Sequence, residues 1–378
     1  MVGIVRELSS WKGRGMRKVF WTAALAVMMV CLPLAYAEEE YGGNSTIFVM
    51  SNDPTGNDVY AIAVDNHGNM TMVTTASTGG NGASGLGNQG GVLAVKRGVV
   101  VVNAGSNTIT SLRYHNGTLA VADVLPSGGT RPISLTRYED IICVLNAGNT
   151  TVEANVVCFR LRDHGELDAI PGATQILGLG KGTAQVGFCN HGRILAVTAK
   201  ATNEILTVPV HGHNLGSVMS FDTTVGAGRV PFGFGCADNV LVVSFATSVL
   251  SGTPSGAGSF QVAHDGSVVA LTPFVSDTRH AACWVALSKD NDLAYVINTA
   301  TMDISSYEVA HDGQIVLVSE VTATVGVPVT DAAVVRRGQV FVVLSPSGRV
   351  TSYAVHTAGL SFADALVLVP GINGVDGW

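Results

Sequence analysis

The sequence predicts an all-β fold, a seven-bladed β-propeller made of four-stranded antiparallel blades. Three observations predict it: an apolar two-strand unit recurs seven times, the units start about 42 to 53 residues apart, and no stretch shows a convincing helical period. Repeats of this length that are rich in Val, Ile and Thr are typical of propeller blades, and seven of them close a ring. The repeats begin at Ile47, Val99, Ile141, Ile194, Val240, Leu293 and Val340.

Each repeat supplies the two middle strands of a blade, and shorter apolar segments on either side supply the inner and outer strands. Residues 71–75, for example, form an outer strand. The first repeat lacks an upstream inner strand, so we expect residues 371–376 to pair inside blade 1 and close the ring, which removes free strand edges. The other inner strands are predicted at residues 91–95, 133–136, 185–189, 232–236, 284–288 and 331–335.

The N-terminal 37 residues are typical of a secretory signal peptide. Basic side chains precede an apolar run over residues 19–36, and Ala35-Tyr36-Ala37 supplies a cleavage site. The alternative is an uncleaved membrane anchor, because eighteen apolar residues nearly span a bilayer. Pro33 and the small residues at the cleavage site favour removal. We therefore predict a signal peptide over residues 1–37 and a single propeller domain over residues 38–378, secreted to the periplasm or the extracellular space.

Charge excludes two classes of partner. The first 37 residues carry five basic side chains and one acidic one, so their removal changes the formal charge from −7 to −11. Nucleic acid is therefore not expected as a partner, nor is a membrane once the signal peptide is cleaved. Nine of the ten histidines fall in or beside strand-ending turns around the circumference, and only His280 precedes an inner strand. We expect no metal and no cofactor.

Five cysteines remain after cleavage, and an odd number cannot form a complete disulfide framework. Cys143 and Cys158 lie on the two strands of one hairpin and are the expected pair. Cys189 and Cys236 occupy equivalent inner-strand positions of neighbouring blades. We interpret these two and Cys283 as small buried apolar residues.

Loop chemistry separates two faces of the propeller. The face that we name the short-turn face carries tight turns such as His264-Asp265-Gly266 and His311-Asp312-Gly313, in which glycine supplies the positive φ of a strand reversal. Long loops on a rigid scaffold concentrate binding residues, so the site is expected at the channel mouth of the opposite, long-loop face. The long loops are residues 78–90, 127–132, 172–184, 226–231, 251–259 and 276–283.

Several stretches resemble a known family: GLGNQGG at 85–91, PSGGTRPIS at 126–134, GTAQVGF at 182–188 and VPFGF at 230–234. They resemble secreted bacterial relatives of the seven-bladed lactonase family, which includes propeller-type 6-phosphogluconolactonases and carboxymuconate cyclases. The resemblance implies the propeller fold and, less specifically, lactone hydrolysis. The histidines that often precede inner strands in the phosphogluconolactonase-like members are missing. The corresponding places read Asn88-Gln89, Arg131-Pro132, Ala184-Gln185, Pro231-Phe232, Cys283-Trp284 and Thr330-Asp331.

Five polar side chains are candidates for ligand contacts at the channel mouth. Arg131 presents a guanidinium fork that suits a carboxylate or a lactone carbonyl; the alternative is a surface arginine before a proline. Gln89 and Gln185 would offer amides to a ligand or only to channel water. Lys200 and Asn203 are candidates for an anion contact near Arg131, although loop lysines are commonly just solvated.

Trp284 is a candidate apolar wall for a sugar or aromatic ring, with packing in the core as the alternative. His280 with Asp331 is the one acid–base combination expected near the mouth, and lactone hydrolysis would use His280 as base and Arg131 as electrophile. Cys283 is a poorer nucleophile candidate because no histidine is fixed beside it.

Three functional hypotheses follow. The first is binding of a small polar or anionic ligand, such as a lactone or sugar acid, or of a protein partner, at one mouth of the channel. The second is lactone hydrolysis. The third is a non-catalytic surface or adhesive scaffold.

Overall fold

The computed structural model describes residues 45–224, 226, 228–357 and 359–378, and these residues form seven β-sheets. The predicted signal peptide, residues 1–37, lies outside the described residues. Each sheet is one antiparallel blade, so the predicted seven-bladed propeller is confirmed. The helices within the described ranges are two single 3-10 turns, Val249–Ser251 and Arg336–Gly338.

The strands follow the chain blade by blade. Blades 1 to 3 contain β1 (Ser45–Met50), β2 (Asp58–Val64), β3 (Met70–Ser77); β4 (Val92–Val95), β5 (Gly98–Asn103), β6 (Thr108–His115), β7 (Thr118–Pro126); β8 (Pro132–Tyr138), β9 (Ile141–Asn146), β10 (Ala154–Leu161) and β11 (Leu167–Gly178). Blades 4 and 5 contain β12 (Thr183–Cys189), β13 (Ile194–Ala199), β14 (Glu204–His211), β15 (Asn214–Leu215), β16 (Met219–Asp222); β17 (Val230–Ala237), β18 (Val240–Ala246), β19 (Gly256–Val262) and β20 (Val268–Ser276). Blades 6 and 7 contain β21 (Ala282–Leu287), β22 (Leu293–Asn298), β23 (Asp303–Val309), β24 (Ile315–Thr324); β25 (Asp331–Val335), β26 (Val340–Leu344), β27 (Arg349–His356) and β28 (Gly359–Val367).

The C-terminal strand closes the ring. β29 (Asn373–Gly377) pairs antiparallel with β1, and Val49 lies opposite Val375. The seven inner strands contact one another in an unbroken cycle, from β29 through β4, β8, β12, β17, β21 and β25 back to β29. The predicted closure inside blade 1 is therefore confirmed. It gives β1 a partner on its hub side, where an open edge would otherwise invite aggregation.

Burial depends on the position of a strand within its blade. β5 (GVVVVN) is buried along its whole length, because neighbouring blades cover both faces of a second strand. The outer strand β7 exposes most of its residues. This difference explains why the second strands read as unbroken apolar runs in the sequence while the outer strands alternate.

One expected loop is partly strand. Residues 172–184 were expected as a loop, yet β11 continues to Gly178. The register of β11 against β10 shifts between Val157 and Phe159, so the Pro171-Gly172 pair lies in a bulge. Proline lacks an N–H for the ladder and Gly172 adopts φ +79°, and the bulge accommodates both without ending the strand.

Two disulfides form instead of one. The expected Cys143–Cys158 bond is confirmed: the two residues lie directly opposite each other on β9 and β10. The interpretation of Cys189 and Cys236 as unpaired apolar residues is wrong, because they form a second disulfide. Their inner strands β12 and β17 are neighbours in the ring, which brings the Cα atoms to 5.8 Å. Cys283 is the free thiol among the described cysteines.

We expect the bond between blades to stabilise the protein more than the bond within a blade. The Cys143–Cys158 bond closes 15 residues and the Cys189–Cys236 bond closes 47. Loop-closure entropy then gives about 3 and about 4 kcal/mol, respectively. The Cys189→Ala/Cys236→Ala variant should therefore lower Tm more than Cys143→Ala/Cys158→Ala when both are compared with the native protein by calorimetry. A larger loss of Tm in Cys143→Ala/Cys158→Ala than in Cys189→Ala/Cys236→Ala would contradict the stronger stabilisation expected from the bond between blades.

Candidate functional site

Residues 85–91, which we name the hub segment, lie across the long-loop mouth of the channel. The backbone carbonyl of Gly90 accepts from Leu135 N of blade 3, and Gln89 N donates to Ala184 O of blade 4. Gly90 N in turn donates to the carboxylate of Asp331 in blade 7, at 3.4 Å. A segment that precedes blade 2 reaches blades this far around the ring only if it crosses the hub. The chain itself therefore crosses the axis of the ring at this mouth.

Gln89 makes the longest crossing. Its Nε2 donates to Val285 O at 2.7 Å and its Oε1 accepts from Val285 N at 3.1 Å, so the amide pairs with the free edge of β21 as a neighbouring strand would. Gly233 leaves room for this amide, because a Cβ there would collide with Gln89 Oε1 and lie 2.6 Å from Cys283 O. Gln89 was predicted to offer its amide to a ligand, but its amide N–H and its amide oxygen are both hydrogen-bonded to backbone.

Gln185, in the first strand of blade 4, repeats the arrangement on the inner edge of blade 5. Its Nε2 donates to Phe234 O at 2.9 Å, and its Oε1 accepts from Phe234 N at 2.7 Å. The inner edges of blades 5 and 6 are thus both closed by glutamine amides. The predicted amides point inward, and their partners are the backbone of Phe234 and Val285.

Asp331 lies where blade 7, blade 1 and the hub segment meet. Besides Gly90, its Oδ2 accepts from Val375 N of the closing strand at 3.3 Å. Asp376 accepts from Ala94 N of blade 2 at 2.9 Å. Burial raises the pKa of Asp331 to about 7 and that of Asp376 to about 6. The hydrogen bonds that both carboxylates accept from backbone N–H groups lower the pKa and oppose this shift. The charge of Asp376 also raises the pKa of Asp331.

His280 is not joined to the other predicted catalytic residues. It lies in the loop before β21, and its Nδ1 is buried without a hydrogen-bond partner in the described structure. Within the described ranges it makes no hydrogen bond or ion pair with Asp331 or Arg131. Two carboxylates near this loop have other partners: Asp277 accepts from Arg279 N, and Asp303 holds the Arg279 guanidinium in an ion pair.

Two cations converge on the hub segment. Lys200 Nζ donates to Gly87 O at 2.7 Å and lies 4.3 Å from the centre of the Phe232 ring. Arg131 Nη2 donates to Gly85 O at 2.9 Å. Burial lowers the pKa of Lys200 to about 8; the nearby Cys283 opposes this shift and the charge of Arg131 adds to it. The structure therefore brings together Lys200 and Arg131, from blades 4 and 3.

The backbone around these cations is unusual. Arg131 adopts φ +60°, which costs a non-glycine residue about 1 kcal/mol or more, and its N–H is held by Asn107 Oδ1 at 2.7 Å. Asn203 adopts φ +58° in the turn after β13. Its carbonyl accepts from Thr223, whereas its side-chain Oδ1 is buried with no partner in the described chain. Left-handed residues thus fix two of the predicted contact positions.

An aromatic pair lies below Lys200. The rings of Phe232 and Trp284 meet edge to face, with centroids 4.8 Å apart. Trp284 is only 4% exposed and its Nε1 donates to Val329 O at 3.2 Å, so the indole packs in the core and Phe232 carries the face that contacts the ammonium.

Burial raises the pKa of Cys283 to about 11, and the neutral thiol is a weak nucleophile.

Sequence reasoning missed the role of the hub segment. Residues 85–91 carry a family resemblance, and the informative signal within them is two amides, Asn88 and Gln89, set between glycines directly before an inner strand. Leu86 is 7% exposed, so the segment also contributes to the apolar core. Asn88 Nδ2 donates to Ile133 O. Glycines with positive φ let the chain turn across the hub while the amides bond to it.

Metal-ligand clusters and membrane-spanning helices are both absent from the described residues. No three His, Cys, Asp or Glu side chains in this part of the chain come together as metal ligands would. No helix in it is long and apolar enough to cross a membrane.

Comparison with known proteins gives likeness in structure only. No protein-family model matches the sequence, and no functionally curated protein matches it. Among solved structures, a candidate 6-phosphogluconolactonase from Bacteroides uniformis aligns over 89% of this chain and 100% of its own, with TM-score 0.70 and 14% identity. A second from Bacteroides fragilis aligns over 89% and 98%, with TM-score 0.68 and 15% identity. The periplasmic gluconolactonase of Pseudomonas aeruginosa aligns over 89% and 99%, with TM-score 0.69 and 15% identity.

These neighbours confirm the resemblance to lactonase-like propellers at the level of the fold. Identities this low carry over neither substrate nor residue roles, so the site assignments rest on the geometry above.

We expect Gln89→Met to destabilise the hub. The substitution keeps the length of the side chain but leaves the N–H and C=O of Val285 unpaired, which should cost about 2 kcal/mol in the free energy of unfolding. Urea unfolding measures that loss, and hydrogen exchange should show a faster Val285 amide. Gln175→Met is the control, because this rim glutamine bonds, within the described residues, to the adjacent Ile176 O alone. An unchanged Val285 amide would show that the crossing bond is not formed in solution.

We expect stability to fall as pH rises from about 4 to about 7. The raised pKa values of Asp331 and Asp376 mean that the folded protein holds protons in this range that the unfolded chain has lost, so the free energy of unfolding decreases with pH. Asp331→Asn should remove part of the slope, on the order of 3 kcal/mol across the window. Urea unfolding at several pH values measures it.

The matched control is Asp123→Asn, because Asp123 also accepts a backbone N–H, from Leu167 at 2.9 Å, but lies at the part-exposed rim. Equal slopes in Asp331→Asn and the native protein would contradict the assignment.

Proposed function

We propose that this protein is a secreted lactonase-like propeller that binds a small anionic or polar ligand, of the sugar-acid or lactone class, at the long-loop mouth of its hub. The observation that carries the proposal is the convergence of Lys200 and Arg131 on one glycine-rich segment. Their positive charges gather at one point of a chain whose formal charge is −7. A carboxylate would find an ammonium and a guanidinium there, with the Phe232 ring beside them.

Both cations are bonded only to backbone carbonyls of the hub segment, so neither is neutralised by a carboxylate partner among the described residues. A carbonyl leaves the net charge of each side chain intact. An incoming carboxylate would then gain a charge-assisted hydrogen bond from each cation without first breaking an ion pair. The unpartnered Oδ1 of Asn203 offers an acceptor for a ligand hydroxyl from the same blade as Lys200.

The cellular setting rests on two observations. The N-terminal pattern is that of a signal peptide cleaved after Ala37, and one structural neighbour is a periplasmic gluconolactonase. We propose the same compartment for this protein. Mass spectrometry of the protein recovered from the host periplasm or medium should give a mature N-terminus at Glu38.

The binding proposal is tested by titration calorimetry of the mature protein with gluconate. We expect Lys200→Met to weaken binding about tenfold, the loss of one charge-assisted hydrogen bond. Affinity of the native protein should also fall as pH rises through about 8, where Lys200 loses its charge, and Lys200→Met should lack this dependence. Lys289→Met removes a lysine from an exposed turn of the short-turn face and should leave binding unchanged.

If Lys200→Met and Lys289→Met weakened binding equally, the effect would come from the overall charge of the protein and not from a contact at the proposed site. Binding unaffected by Lys200→Met would overturn the proposed site. Capture of a protein partner without any gluconate response would favour the scaffold hypothesis instead.

Lactone hydrolysis is the second candidate, favoured by the gluconolactonase neighbour. His280 would act as base on water and Arg131 would stabilise the developing oxyanion. A panel of sugar lactones assayed with the native protein, His280→Ala and Arg131→Ala tests it. Turnover that is absent, or that is indifferent to both substitutions, would exclude this mechanism.

A further inference from the structure

A second cleft opens on the short-turn face, opposite the hub segment. It lies between blades 2 and 3 and has a volume of about 210 Å³. Three turns line it. Lys96 and Arg97 lie in the β4–β5 turn, Arg137 lies at the end of β8 just before the β8–β9 turn, and Arg162 begins the β10–β11 turn. Four basic side chains and three acidic ones line the cleft, so its formal charge is positive in a protein whose charge is negative.

A buried hydroxyl faces this cleft without a partner. Ser111 is 2% exposed and lines the cleft, and its Oγ makes no hydrogen bond within the described structure. A desolvated hydroxyl with no partner is uncommon, because burying a polar group without a hydrogen bond costs free energy. The described chain therefore leaves this hydroxyl unbonded at the wall of the cleft.

The sevenfold repeat supplies an internal comparison. Ser352 of blade 7 has the same register as Ser111, opposite an aspartate and directly before a bulge. Its hydroxyl donates at 2.6 Å to the carbonyl of Gly68, in the outer turn of the following blade. Thr207 of blade 4 donates in the same way to Gly266 O, also at 2.6 Å.

In blade 2 this bond between blades is missing. The glycine that corresponds to Gly68 is Gly165, and the atoms nearest to a Cβ built on it belong to Arg113 and Ala122. Ser111 is not among them. The cleft occupies the position where blade 7 closes on blade 1 and blade 4 closes on blade 5.

The charges around Ser111 are only partly satisfied. Arg162 is paired with Asp168, and Arg137 Nε donates to Glu139 O at 2.6 Å. Lys96 and Arg97 have side chains that make no hydrogen bond or ion pair in the described parts of the chain. The cleft is also lined by the carboxylates of Glu139, Asp140 and Asp163. The two cations and the hydroxyl that lack partners in the described structure are the donors that a carboxylate or phosphate group would use there.

We infer that this cleft is a second ligand site, which takes a small oxyanion through Arg97, Lys96 and the Ser111 hydroxyl. It is separate from the proposed site at the hub, since it lies on the other face and shares no residue with it. The site recognises what carboxylates and phosphates share, which is negatively charged oxygen atoms that accept hydrogen bonds.

The test uses crystals of the mature protein grown without sulfate or phosphate and soaked in selenate, whose selenium is located by anomalous scattering. We expect a peak within hydrogen-bond distance of Ser111 Oγ. Calorimetry with inorganic phosphate and, separately, malonate then shows which oxyanion binds more tightly. Arg97→Ala should weaken the better probe about tenfold and Ser111→Ala about fivefold.

Two controls separate the site from general effects. Ser259→Ala removes a hydroxyl of blade 5 at the same register, which is likewise unpartnered within the described structure. Lys289→Ala removes a cation from the same face. Neither should change binding, and Lys200→Met should leave the selenate peak beside Ser111 in place, which keeps this inference independent of the hub site. Selenate peaks elsewhere with none beside Ser111, or equal effects of the controls, would overturn it.

Discussion

The free backbone edge of the seven inner strands is the constraint on which the rest of the structure depends. Each inner strand pairs with its own blade on one side and faces the hub on the other, where its N–H and C=O groups still need partners. Side chains of the preceding blade supply many of them, so satisfying the hub edge also fixes the order of the blades. The links join Ser134 to Val186, Thr136 to Phe188, Gln185 to Phe234, Asp331 to Val375 and Asp376 to Ala94.

This constraint uses the polar side chains nearest the axis as partners for backbone groups. Gln89 and Gln185 are the amides nearest the hub, and both are committed to backbone. Asp331 and Asp376 bond across the ring closure. Burial raises the pKa of both carboxyl groups toward neutral, so they stabilise the ring while part of their negative charge is lost to protonation. Lys200 and Arg131 bond to carbonyls of the hub segment and to no carboxylate among the described residues, which is why the proposed ligand site is placed on them.

Much of the architecture could be predicted from local pattern, and less of the site. Alternation and turn chemistry located all seven blades, the closing strand and the Cys143–Cys158 pair, because each depends on neighbours along a hairpin. The Cys189–Cys236 pair was missed because it joins two blades, and sequence spacing contains no information on which inner-strand cysteines face each other. Gln89 was assigned to the channel, but its partner Val285, 196 positions away, could not be identified.

The sequence by itself determined the number of blades, their strand order and the residues placed at the two faces, because strand periodicity and glycine turns are local properties of the chain. Only the tertiary structure decided which polar side chains remain available. Gln89 and Arg131 both precede inner strands, yet one pairs with an empty strand edge and the other with a single carbonyl. The difference arises from what lies across the hub, and that geometry exists only when the ring is closed.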